Sequence, residues 1–147
     1  MQTYDPYEEI PFLAFGAVSG EPHHSLEHCR SLMHFIEAEK FLGVDDRYRR
    51  FLLQLSDRED LLLETAGVSQ AMLRADWSAV RDRLIRAGVW MQLVQNQNAL
   101  LGPLMSGELS CDLQPINTAL QAIRTRIAAR PTDPLRQVLI AGPLATT

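Results

Sequence analysis

The feature that most limits what this chain can fold into is the run Asp76–Asn96, in which Trp77, Val80, Leu84, Ala87, Met91 and Val94 recur at steps of three and four. That spacing puts them on one face of an α-helix over about five turns. Asp76 stands where an N-cap belongs, Gly88 inside the run invites close approach of another element, and Trp90, off the stripe, packs on a second neighbour or at an interface.

The same periodicity recurs on both sides. From Ser25, read as an N-cap, Leu26, Cys29, Met33 and Ile36, with Leu32 and Phe35, predict a helix to about Phe41, before Gly43. A second helix is expected over 46–55. Ser56 to Glu59 reads as a capping box opening a third that ends at Gly67. Val68 to Arg74 predicts a further turn or two, and Ala99 to Leu101 one turn broken by Gly102-Pro103. Residues 106–113 read as loop. Pro115 then starts a helix striped by Ile116, Leu120, Ile123 and Ile127 and ended by Pro131.

The two ends behave differently. Residues 1–24 hold Pro6, Pro11 and Pro22 with Gly16 and Gly20 around Ile10, Phe12, Leu13 and Phe15, which suits an extended arm or short strands. Leu135, Val138, Leu139 and Ile140 make the tail 131–147 too apolar for a solvated end. It should pack on the domain or on a second copy, giving a homodimer. The expected fold is mainly α: a single-domain orthogonal helical bundle of about five to six helices, residues 1–147, with an extended N-terminal arm.

Composition supports one domain and excludes several functions. A chain of 147 residues, 46% hydrophobic and 22% charged, buries roughly two-thirds of its unfolded surface without metals or disulfides. Its net charge of −4, with no Lys/Arg block, argues against binding a phosphate backbone. Arg47, Arg49 and Arg50, and Arg74, Arg81, Arg83 and Arg86, read as solvated helix faces, although arginine is also a good bidentate ligand for phosphate or carboxylate. Cys29 and Cys111 lack metal-ligand spacing, which fits a reduced, cytoplasmic setting. No signal peptide or membrane span is recognisable.

The chemistry concentrates in Gly20 to Phe35. All four histidines (His23, His24, His28 and His34) lie there with Glu27, which the helical reading places in the first turn. A phosphate-binding glycine loop, a serine-hydrolase elbow and a His-Glu-x-x-His helix are all missing, and neither a metal nor a cofactor is expected.

Gly20-x6-Glu27-His28-x5-His34-Phe35 resembles the signature of the NADAR (YbiA-like) family, with His34 where the family has lysine. Asp76-Trp77-Ser-Ala-Val80-Arg81 through Gln95-Asn96-x3-Leu100 is similar to that family's second block, and Ile116 to Arg124 weakly to its closing helix. The resemblance implies a helical domain that binds an ADP-ribose-like or phosphoribosyl-like molecule and hydrolyses an N-glycosidic bond. Such cleavage builds oxocarbenium charge, which a carboxylate stabilises, while an acid protonates the leaving nitrogen. Glu27 is the expected acid/base, with His34, two helical turns along, contacting a phosphate or the leaving base. His28, Trp77 and Arg81 complete the expected substrate-binding set; His28 is read as structural or supporting, and Trp77 as a core anchor or a stacking platform. An inactive ligand-binding or interaction module on the same scaffold is the rival expectation, with the tail serving self-association.

Overall fold

In the computed structural model, residues 2–14 and 27–129 are described. The readings made for His23, His24, Ser25 and the tail from 131 lie outside them. The long stripe forms helix α4, Trp77–Gln95, nineteen residues long. Around it stand α1 (Leu32–Glu39), α2 (Asp46–Gln54), α3 (Arg58–Thr65), α5 (Gln97–Met105) and α6 (Gln114–Ala129), with a 3₁₀ turn at Gln70–Met72. The protein is mainly helical. Its strands are short: β1 (Gln2–Thr3) pairs in parallel with β4 (Leu109–Ser110), and β2 (Phe12–Ala14) pairs antiparallel with β3 (Glu27–Cys29). No helix among the described residues is long and apolar enough to cross a membrane.

Burial shows why α4 organises the fold. Its first two turns are peripheral, but Ala87 to Val94 are buried without interruption, because α1, β2, α5 and α6 pack on it from several sides. The single stripe expected from the sequence therefore holds only for the first half, and Trp90 is a core residue facing a second neighbour. α1 is likewise buried on every side. Phe35 packs on Phe12 with ring centroids 5.9 Å apart, and burying such a ring contributes about 1.5–3 kcal/mol.

Gly88 is where α1 and α4 meet. A Cβ there would stand 2.8 Å from Phe35 Cδ2 and 2.9 Å from Leu32 Cδ1, inside contact distance. Overpacking of this kind costs about 1–3 kcal/mol, and alanine's better helix propensity returns about 1 at most. Gly88→Ala is thus expected to lose on the order of 1 kcal/mol in urea unfolding; a more stable variant would mean that the helices do not touch there.

Four local expectations are corrected. The helix expected from Ser25 starts at Leu32, capped by Ser31, whose hydroxyl accepts from the His34 amide. Glu27–Cys29 is a strand because its backbone is paired with Phe12–Ala14. The third helix is capped by Asp57, which accepts from the Asp60 amide, rather than by Ser56. Asp76 holds the cap position of α4, but Arg74 takes its carboxylate at 2.6 Å and no cap bond forms. Finally, α5 runs through Pro103. Pro103 has no amide to give the carbonyl of exposed Ala99, while beyond it the amides of Ser106, Gly107 and Glu108 donate to Gly102, Leu104 and Pro103.

Candidate functional site

The site is built outward from the last turn of α4. Gln95 accepts from the Leu13 amide (2.6 Å) and donates to the Leu13 carbonyl (2.8 Å), so one side-chain amide completes the hydrogen bonding of β2 as a neighbouring strand would. Gln92 donates to Ile10 O and accepts from the Tyr4 hydroxyl, and Asn96 donates to Pro11 O. These side chains fix the extended segment at its polar backbone, and that segment carries β3.

Side chains alternate along a strand. In β3, Cys29 is buried, His28 is exposed and Glu27 turns toward α2. Glu27 Oε2 accepts from Arg49 Nη1 at 2.6 Å, and the same guanidinium donates to Asp46 Oδ1 through Nε and Nη2. Arg49 is only 3% exposed. Burial opposes its charge, yet the hydrogen bonds and negative charges of Glu27 and Asp46 outweigh that and raise its pKa. The Arg49 hydrogen bonds also hold the Asp46 carboxyl below its usual range. Burial, reinforced by the negative charge of Glu27, pushes the Cys29 thiol up, so it is no thiolate nucleophile.

Beside this pair runs a groove of about 470 Å³ lined by Glu27, His28, Arg30, Arg50, Leu53 and Gln54. Its polar lining offers one carboxylate, one imidazole, two guanidinium groups and an amide. Arg30 pairs with Glu9 and Arg50 with Asp46, in largely exposed contacts that an anionic ligand can displace. Among the described residues, Glu27 Oε1 has no partner.

Two of the expected site residues, Glu27 and His28, meet in this groove, and three do not. His34 is 2% exposed, with Nδ1 2.7 Å from Ser31 Oγ and Nε2 3.0 Å from Leu55 O. A carbonyl can only accept, so Nε2 carries the proton and Nδ1 accepts from the Ser31 hydroxyl. Burial lowers the pKa of the ring and keeps it neutral. His34 therefore ties α1 to the end of α2 and does not line the groove, and β3, not a helix, leads into α1. Trp77 is half-buried against the core with the Lys40 ammonium 5.9 Å from its ring centre. Arg81 is exposed and paired with its neighbour Asp82.

Arg30, Arg50 and Gln54 were not anticipated in the site, and Arg49 is not the solvated residue that its arginine-rich surroundings suggest. The available signal was its place three residues before Leu52, on the side of α2 that faces the core. Among the described residues no group of three or more His, Cys, Asp or Glu side chains is arranged to hold a metal ion. No protein-family model matches the chain, and neither a curated protein nor a solved structure matches it.

Proposed function

We propose that the chain is an N-glycosidase-like hydrolase acting on a small ribosyl, ADP-ribosyl or nucleotide-derived substrate, with Glu27 as the acid/base. The observation that carries this reading is a carboxylate fixed in direction by buried Arg49 and bordering a groove that also presents His28, Arg30 and Arg50. The groove's volume falls within the range of small-molecule sites. In the reaction, water adds to the anomeric carbon and gives its proton to Glu27. The C–N bonding pair leaves with the nitrogen, which takes a proton from His28. Arg30 and Arg50 hold phosphate oxygens.

Incubating the protein with NAD, ADP-ribose and flavin precursors and separating the products by chromatography tests this. Wild type is expected to release the base, and Glu27→Gln, which can still accept from Arg49, to lose at least about a hundredfold in rate. An undiminished rate in Glu27→Gln removes Glu27 from the chemistry.

A catalytically inactive ligand-binding or protein-interaction module is the second reading. It is favoured by the commitment of Glu27 Oε2 to Arg49 and by the sequestered ring of His34. Ligand-dependent thermal stabilisation without turnover would select it.

A further inference from the structure

Helix α2 has a second concavity on its other side. Arg50, Leu53 and Gln54 face the groove just described, whereas Asp45 and Tyr48 lie roughly half a helical turn around and border a cavity of about 390 Å³ with Phe41, Val44, Glu64, Gly67, Val68 and Met72. The two linings differ in charge: the first contains arginines, the second no basic residue.

Three observations define what would fit the second cavity. Its walls are apolar and aromatic, and Phe41 and Tyr48 meet edge to face with centroids 4.7 Å apart. Its acids each have one oxygen engaged by the fold: Asp45 Oδ1 accepts from the Tyr48 amide and Glu64 Oε1 from the Tyr48 hydroxyl. The second oxygen of each has no cationic partner among the described residues, and Lys40, next to Phe41 in sequence, is engaged by Glu37 and lies over Trp77. Burial and then Glu64 push the Tyr48 phenol up to about 12, so it stays a donor and does not add a third anion.

We infer that this cavity binds a small organic ammonium ion, its apolar body among Phe41, Val44, Val68 and Met72 and its charge against Glu64 and Asp45. With Asp45 exposed and Glu64 half-buried, the two carboxylates attract a cation and repel an anion, and a neutral ligand of the same shape gains nothing from either charge. Cation–aromatic attraction adds to the preference. The site is independent of the groove at Glu27 and stands whether or not that groove hydrolyses anything.

Amide NMR titrations of the full ¹⁵N-labelled chain with benzylamine, and with benzyl alcohol as its uncharged counterpart, test the inference. The amine is expected to shift resonances of residues 44–48 and 64–68 and to bind about tenfold more tightly than the alcohol, as two partly screened carboxylates allow. Glu64→Gln and Asp45→Asn, which keep the acceptors for Tyr48, should each weaken the amine and leave the alcohol alone. Gly67→Leu is expected to block both, since a Cβ at Gly67 meets no atom within 4 Å and can be added without a clash. Equal binding of amine and alcohol, an amine affinity unchanged by both acid variants, or shifts confined to other residues would overturn it.

Discussion

Replacing Arg49 with methionine is expected to lower the stability of the fold by about 3–5 kcal/mol, the usual cost of removing one member of a buried ion pair. Glu27 would be left mostly covered with no cation to meet it, since its side chain is 14% exposed. Asp46 would fare better because it is half exposed and keeps Arg50. The cost therefore falls mainly on the β3–α2 contact. Urea unfolding of Arg49→Met, Glu27→Leu and the double variant gives a thermodynamic cycle. If the pair acts as described, the double variant loses clearly less than the sum of the two single ones. Strict additivity would mean that the two side chains do not share an energetic contact.

Replacing His34 with phenylalanine is expected to cost about 2–4 kcal/mol although ring size is preserved. The half-buried Leu55 carbonyl loses its donor, and the buried Ser31 hydroxyl, which still accepts from the backbone amide of residue 34, loses the acceptor for its own proton. The ring also makes stability depend on pH. Its native pKa lies below its ordinary value, so between the unfolded value near 6.5 and the lower native one the unfolded chain binds more protons. The contribution of neutral His34 is thus complete above about pH 6.5 and is lost as the pH falls through that window, at up to about 1.4 kcal/mol per pH unit. Denaturation curves for wild type and His34→Phe across this range check the sign: the gap between them should narrow on acidification, and a gap that widens contradicts the buried neutral ring.

These two residues also mark how far the sequence could be read. The helices were legible where an apolar repeat lasted three turns or more, as in α4 and α6, and so was the close approach at Gly88, because a glycine in a long helical repeat has few other uses. Glu27 to Cys29 was misread because three residues cannot separate a period of two from one of 3.6. What decides between them is pairing with Phe12–Ala14, which no local pattern carries. That one change moves His34 off the face of Glu27. It also hides the role of Arg49, a residue whose charge reads as exposed until its two carboxylate partners are placed around it. The pairing of Gln95 with Leu13 was equally unreadable: a glutamine near a helix end says nothing about which distant backbone it will meet.

Whether the groove beside Glu27 receives a ribosyl or nucleotide-derived ligand is decided by an amide NMR titration of the full chain with ADP-ribose. Saturable shifts are expected at His28, Arg30 and residues 50–54, abolished when Arg30 and Arg50 are both changed to glutamine. Saturable shifts confined to other parts of the chain, or none at millimolar ligand, would contradict ligand binding there.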